Sequence, residues 1–351
     1  MRKIIKFTFI LVFFTFLLFG SFILYSTWTD YQPDKEIVIL QSKDYSNVID
    51  SSFTVLTWNI GYAGLGADMD FFYDGGEQVI TSREHTIENL NQIISLVSGK
   101  KNVDFFLFQE VDVQAKRTYY INESDSLKKA TPHYITTYAD NFLVNYIPVP
   151  ISNSLGSVRS GIQISSKLIP VSSTRYSFPG NYAWPGRIFT LDRGFLVNRY
   201  KLNEGRELLI INTHNSAFDD GSLKLQQIEY LIDFLKAEVK KGNLFVVGGD
   251  WNQNPPNLDA SAFINQSEGD KFVLSAIDKK LFPDDWNWNF DNTVPTARSN
   301  VSPYQKNVSS TTILDFFMTS PGLKVNLVKG IDLDFQNSDH QPVFMNFEIE
   351  K

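Results

Sequence analysis

The stretch NLFVVGGDWNQN, Asn243 to Asn254, starts as an apolar run fit for a buried strand and ends with a carboxylate and an amide one residue apart, Asp250 and Asn252. Leucine, phenylalanine and two valines in succession suit a strand covered on both faces. In an extended segment residues i and i+2 point to the same side, so Asp250 and Asn252 are expected to face one cleft while Trp251 turns away. The competing reading is a Gly-rich turn with Asp and Asn as turn formers.

Working outward, the same pattern recurs. Short apolar runs rich in β-branched and aromatic residues appear as FTVLTWNI (53–60), VDFFLFQEVD (103–112), RELLIINTHN (206–215), TILDFFMTS (312–320) and QPVFMNFEI (341–349). Each has strand length. Two segments carry helical spacing instead. In 82–99, Ser82 is a plausible N-cap, Ile87, Leu90, Ile94 and Val97 recur at helical intervals, and Gly99 ends the pattern. In 220–243 an apolar stripe through Leu225, Ile228, Leu231, Ile232 and Leu235 ends at Lys240, Lys241 and Gly242. Fully apolar strands with a few helices between them predict two packed sheets covered by helices.

Composition narrows the chemistry. The 351 residues, 43% of them hydrophobic, can fill a large core. A net charge of -7 gives no broad basic field for nucleic-acid backbones. Cysteine is absent, which excludes disulfides and thiolate metal sites and leaves oxygen or imidazole ligands suited to Mg2+, Mn2+ or Ca2+.

At the N-terminus, Arg2, Lys3 and Lys6 precede an uncharged stretch from Phe7 to Thr29, long enough to span a bilayer as a helix. The basic-side-inside bias sets the N-terminus in the cytoplasm and the remainder outside. The run outlasts a signal core of about 7–15 residues and no A-x-A-like site follows, which favours an anchor over a cleaved signal. Residues 1–29 are thus read as anchor or signal, 30–52 as a tether, and 53–351 as one catalytic domain without repeats or long linkers.

The strands finish in polar residues able to ligate a metal or move a proton: Asn59, Glu110, His214, then Asp250 and Asn252. Asp315 interrupts an apolar run, where a charge is costly unless paired or facing a site. Asp339 and His340 precede the last strand, so two of only four histidines fall in such places. Singly, each has a plain alternative as turn former, cap or core imidazole. Together, in this order, they point to one site. Arg298 and Thr296, in the segment before Asp315, and Arg159 are candidates for contacting a substrate phosphate, with a solvated loop arginine as the alternative.

Asn59 in TWNI, Glu110 in LFQEVD, His214 in INTHN, Asp250 and Asn252 in GGDWN, Asp315 in ILDFF, and Asp339-His340 in SDHQPV resemble the ordered motifs of the endonuclease/exonuclease/phosphatase superfamily. The resemblance covers about 53–349, with THN standing where THL is commoner. The wording NIGYAGLGADMDFFYDGG resembles a bacterial, membrane-anchored branch. The superfamily implies an α+β, four-layered αββα sandwich (deoxyribonuclease I-like) with one or two divalent cations in a cleft at one end of the sheets. It also implies hydrolysis of a phosphoester.

On that resemblance Glu110 is expected to be the main metal ligand, aided by Asn59 and Asp339. Asp250 orients or deprotonates the attacking water, and Asn252 donates to a phosphoryl oxygen. His340 is expected near the water or the phosphate and His214 on the leaving side, with Asp315 fixing an imidazole. The substrate is expected to be a lipid headgroup or a nucleic acid, the membrane a partner through the N-terminal helix, and no obligate protein partner is evident. A catalytically silent binding module and a structural surface protein are the competing classes.

Overall fold

The computed structural model describes residues 1–46, 52–217, 219, 221–259, 263 and 275–350. In chain order its elements are α1 (Arg2–Trp28), β1 (Glu36–Gln41), β2 (Ser52–Asn59), α2 (Arg83–Gly99), β3 (Phe105–Asp112), α3 (Glu123–Ala130), β4 (Ile135–Ile147), β5 (Gly156–Ser166), β6 (Ser172–Ser177), β7 (Gly194–Lys201), β8 (Glu207–His214), α4 (Ser222–Lys240), β9 (Leu244–Asp250), β10 (Asn287–Asn289), β11 (Ala297–Arg298), β12 (Thr311–Thr312), β13 (Asp315–Thr319), β14 (Leu323–Gly330) and β15 (Val343–Ile349). One sheet runs β1-β6-β7-β8-β9-β13-β10, the other β14-β15-β2-β3-β5-β4. The pairs β2/β3 and β8/β9 are parallel.

Continuous apolar strands arise because both faces of each sheet are covered. Val55, Phe105, Leu107 and Ile162 of one sheet meet Leu196, Leu208, Ile210, Val246 and Phe317 of the other in a core between the sheets. The alternate residues face outward. Leu56, Trp58, Phe106 and Phe108 pack under α2 and α3 through Leu90, Ile93, Val97 and Leu127. Leu209, Ile211, Phe245, Val247 and Phe316 pack under α4 through Ile228, Leu231, Ile232 and Leu235. The layers are therefore helix, sheet, sheet, helix.

Both expected helices form. Ser82 caps α2, its Oγ accepting from the His85 N–H at 3.1 Å. In α4 the stripe differs from expectation at one place, since Leu225 is exposed and Leu223 is buried in its stead. Asp220, where that segment was expected to open, lies outside the described residues. One N-terminal helix, α1, is long and apolar enough to cross a membrane, and none of its most apolar window is buried.

The segment expected as a tether departs from that reading. Glu36–Gln41 pairs antiparallel with β6 as the edge strand of a sheet. Its consecutive Ile37, Val38, Ile39 and Leu40 supply strand propensity that mixed flanking charges obscure. Residues 47–51 of that segment, and Lys351 at the end of the expected domain, lie outside the described residues.

A buried ion cluster ties α4 to the sheet beneath it. Arg199 donates to both oxygens of Glu238 at 2.9 Å each, and Glu238 also accepts from Lys241 Nζ at 2.8 Å and Asn243 Nδ2 at 2.7 Å. Burial opposes ionisation of Glu238, but the Arg199 fork, Lys241 and Asn243 outweigh it and bring its carboxyl down to about 2. A depressed folded pKa gives stability that is present above the unfolded value, near 4.5, and lost as pH falls toward 2. Glu238→Gln is expected to cost about 1–3 kcal/mol at neutral pH, with the gap to wild type closing between pH 4.5 and 2 in thermal denaturation. A gap constant across that window contradicts the assignment.

Candidate active site

Strand register assembles the site. In the parallel pair β8/β9 His214 lies opposite Asp250, and in the antiparallel pair β9/β13 Asp250 lies opposite Asp315. One row across three strands thus carries an imidazole and two carboxylates. In the other sheet Asn59 lies opposite Gln109. The two sheets are locked together nearby, with Gln109 Nε2 donating to Asn212 Oδ1 at 2.6 Å and Asn212 Nδ2 donating to the carbonyls of Phe108 and Gln163 at 2.9 and 3.0 Å.

Local backbone devices then aim the side chains. A bulge between Phe108 and Val111 inserts one extra residue in β3, and Glu110 takes φ +55° there. That kink turns Glu110 into the cleft. The two glycines before Asp250 answer a steric demand: a Cβ at Gly248 would lie 2.5 Å from the Phe317 ring, and one at Gly249, whose φ is +148°, 2.0 Å from the Thr213 carbonyl oxygen.

Asp250 and Asn252 do share the cleft, but through a turn and not through strand alternation. β9 ends at Asp250, Asn252 adopts φ +51°, and its N–H donates to Asp250 Oδ1 at 2.9 Å. Asn tolerates this conformation because its short polar side chain bonds locally. Trp251 turns into the core as expected, stacked on Phe316 and donating Nε1–H to the Phe316 carbonyl at 3.1 Å.

Asp250 is the hub. Its Oδ2 accepts from Asn59 Nδ2 at 3.0 Å and Asn252 Nδ2 at 3.3 Å, and lies 3.4 Å from His214 Nε2 and 3.8 Å from His340 Nε2. Burial pushes its carboxyl up to about 6 against the pull of His340. On the far side of His340, Nδ1 bonds Asp315 Oδ2 at 2.7 Å, and the His340 carbonyl accepts from Trp58 Nε1 at 3.0 Å. Although burial opposes its charge, Asp315 and then Asp250 hold His340 well above the usual histidine range. His214 goes the other way: burial first, then Arg193 and His340, keep it neutral. The two imidazoles are thus pushed to opposite sides of the usual histidine value.

A second acidic group flanks this hub. Glu110, whose side chain is one quarter exposed, accepts from Asn59 Nδ2 at 3.2 Å and lies 3.8 Å from His214. Asn300 Nδ2 bridges Asp339 Oδ2 at 2.7 Å and Asp74 Oδ2 at 3.0 Å. Burial and then Asp339 raise Glu110, and burial brings Asp74 up to about 6. These carboxylates carry more negative charge than their neighbours neutralise.

Asn59, expected to help hold the metal, is oriented by a backbone hydrogen bond. Its Oδ1 accepts the Gly61 N–H at 3.0 Å, which fixes the amide so that its nitrogen faces the two carboxylates. Asp250, Asp315 and His340 also present ligand atoms within 4.8 Å of one another. That trio already spends Asp315 Oδ2 and His340 Nδ1 on each other.

All three candidate substrate contacts have other partners. Arg298 is buried at the cleft and its two terminal nitrogens donate to the carbonyls of Leu65, Gly66, Met69 and Ser299 at 2.7–3.2 Å, while Nε has no partner among the described residues. It thereby organises the loop GLGADMDFFYDGG (64–76), whose Leu65, Phe71, Tyr73 and Asp74 line the cleft. Thr296 Oγ1 accepts the N–H groups of Leu314 and Asp315 at 2.9 Å each, so it positions Asp315. Arg159 makes a two-pronged pair with Asp140 at 2.9 and 3.1 Å and does not line the cleft.

The cleft, about 740 Å³, contains cations that sequence reading missed: Arg117, Arg193 and Lys224. Arg117 forks onto Asp112 at 2.9 and 3.0 Å and covers the Tyr62 ring at 3.5 Å. Arg193 is half-buried, and its Nη1 is buried without a hydrogen-bond partner among the described residues. Its place immediately before β7 in LDRGFLV (191–197) is the same strand-end signal that marked the other residues, at the opposite end of a strand.

The profile of the Endonuclease/Exonuclease/phosphatase family matches residues 56–340, most of the chain. Among curated proteins no sequence relative is detected. Solved structures share the fold. An endonuclease/exonuclease/phosphatase from Beutenbergia cavernae superposes with TM-score 0.56 at 16% identity, over 86% of this chain and 72% of its own. ANGEL2, described as a 2',3'-cyclic phosphatase and bound to adenosine-2',3'-vanadate, gives 0.54 at 16% identity over 89% and 100%. TDP2 from D. rerio, complexed with single-strand DNA product, gives 0.52 at 14% identity over 85% and 100%. With the motif residues gathered in one cleft and the profile spanning nearly all of the sandwich, the chain belongs to the endonuclease/exonuclease/phosphatase family.

Proposed function

We propose that the chain is a membrane-anchored, divalent-metal-dependent phosphoesterase, its catalytic domain outside the cytoplasm, that hydrolyses a phosphodiester with an activated water. The observation that supports this reading most is the convergence on Asp250: two amides and two imidazoles around one buried carboxylate whose pKa is pushed up to about 6. A carboxylate so tuned is a competent base near neutral pH. Asp250 accepts the proton of the attacking water. His340, kept charged by Asp315, compensates negative charge building on the phosphoryl oxygens. His214 stays neutral with its Nε2 3.4 Å from Asp250 Oδ2, and Asn59 and Asn252 hold the Asp250 carboxylate in place. Arg193 offers its unpaired Nη1 to a phosphoryl oxygen.

Glu110 and Asp339 fit a hard divalent cation, Mg2+, Mn2+ or Ca2+. They offer oxygen donors only, Glu110 reaches solvent, and its proton affinity is raised partly by Asp339, which is what unneutralised adjacent carboxylates produce. The ion supplies charge neutralisation at the phosphate when bound. The trio of Asp250, Asp315 and His340 is the lesser candidate because an ion there would break the 2.7 Å bond on which the charge of His340 depends.

In the detergent-solubilised full chain, Asp250→Asn and His340→Ala are each expected to lower kcat on bis(p-nitrophenyl) phosphate by about 10²–10⁴-fold with the melting temperature largely kept. Near-wild-type turnover by either variant contradicts the roles given. Magnesium or manganese is expected to raise the melting temperature of the wild type and to leave that of Glu110→Gln unmoved. A wild type that neither cation stabilises, with hydrolysis that survives a chelator, removes the metal from the proposal.

A further inference from the structure

The last turns of α1 do not stand clear of the catalytic domain. Phe22 stacks on Phe189 with centroids 5.9 Å apart and planes 11° apart, and meets the Tyr146 ring edge-on at 6.2 Å. One turn further, Trp184 Nε1 donates to Thr27 Oγ1 at 3.1 Å, and Arg187 lies 4.0 Å from Asp30. The domain surface touched by α1 is also a wall of the cleft, for Phe189 lines it together with Phe142, Leu155 and Leu191.

Helix geometry converts these contacts into a depth. At 1.5 Å per residue the uncharged run from Phe7 to Thr29 is about 34 Å long, slightly more than a hydrocarbon core of about 30 Å. Phe22 sits about 9 Å before the helix end at Trp28. Any domain residue that meets Phe22 is therefore carried down to the boundary between headgroups and acyl chains.

The side chains beside that contact suit the boundary. Ile151 is 95% exposed, Trp184 56%, Tyr146 47% and Val149 40%. They lie in two segments, 146–155 and 178–186, neither of which holds a charged residue. In water such a patch is unfavourable; at a bilayer interface, aromatic and aliphatic groups of this kind are stabilised.

We propose that segments 146–155 and 178–186 form a rim seated in the membrane that α1 anchors, so that the cleft opens onto that leaflet and its substrate is a phosphoester carried by a membrane lipid. This inference rests on the phosphoesterase reading for its chemistry and on α1 for its geometry. The headgroup reaches Asp250 and Arg193, and the apolar part of the lipid lies along Phe142, Phe189 and Leu191. Soluble nucleic acid would have to enter past a surface pressed against the bilayer.

The absence of cysteine permits a direct test. The full chain carrying Ile151→Cys, labelled with an environment-sensitive fluorophore, is placed in nanodiscs of phosphatidylcholine and phosphatidylglycerol. Lys324→Cys, on β14 at the opposite edge of its sheet from β4, serves as the reference. Emission at 151 is expected to shift to the blue and be quenched by doxyl-labelled lipid, while 324 stays water-like. Water-like emission at 151 overturns the rim, as does shielding at 151 without lipid quenching, which indicates a protein partner or second copy. Loss of α1 from the mature protein, read by mass, also overturns it.

Activity separates the two claims. In discs containing phosphatidylcholine, phosphatidylglycerol and sphingomyelin, the Val149→Asp/Ile151→Asp protein is expected to lose at least about tenfold in lipid hydrolysis and stay within about twofold on bis(p-nitrophenyl) phosphate. Equal loss on both substrates, no loss on lipid, or hydrolysis of the soluble ester but of no lipid overturns the lipid assignment. A wild type inactive on everything overturns the phosphoesterase reading itself, and the fluorescence then still decides whether the rim is in the membrane.

Discussion

The site depends on strand register. His214, Asp250 and Asp315 occupy one row across β8, β9 and β13, and the amide clamp between Gln109 and Asn212 fixes that row against the ends of β2 and β3 in the facing sheet. Because side chains alternate with period two, a slip of one residue in β9 would send Asp250 toward the outer core and bring Gly249 or Trp251 into its place. The continuous apolar faces prevent such a slip: Val246 belongs between the sheets and Val247 under α4, and neither face tolerates the exchange. The catalytic geometry is thus a by-product of the packing that stabilises the sandwich.

Holding five carboxylates and two imidazoles in and around a partly buried cleft is costly, and the structure bears the cost locally. Three non-glycine residues with positive φ, Tyr62, Glu110 and Asn252, line the cleft. Asp315 Oδ1 is buried without a hydrogen-bond partner among the described residues. Such strain and incomplete pairing gather where function sets the requirement and stability does not. The two histidines share one environment yet are driven apart, His340 by two facing carboxylates and His214 by burial and the Arg193 charge. One pocket thus holds two imidazoles whose proton affinities are pushed in opposite directions.

Much of this was legible in the sequence, and the failures have physical reasons. Strand ends were readable because polar residues at the tip of a doubly covered strand stand out, as Asn59, Glu110, His214 and Asp250 do, and Asp315 stood out as a charge inside an apolar run; only their joint order pointed to one site. The partners of Arg298 and Thr296 were not legible because residue type does not say where a donor or hydroxyl is spent; they are the loop carbonyls at 65–69 and the N–H of Asp315, distant in sequence or backbone groups. Arg159 had its carboxylate partner on the neighbouring strand β4, which reads poorly because its alternating residues are half-buried. Arg193 escaped notice since it opens a strand instead of closing one. The edge strand β1 was hidden in a segment whose composition resembles a linker.

The proposed cation site lies beside the hub, on Glu110 and Asp339, and leaves the Asp315–His340 bond intact. Crystals of the protein soaked in manganese and measured by anomalous diffraction address this most directly. The predicted result is a peak in bonding contact with the Glu110 carboxylate and on the Asp339 side of the cleft, with His340 still hydrogen-bonded to Asp315. A peak among Asp250, Asp315 and His340, or a cleft that takes up no manganese at all, would contradict it.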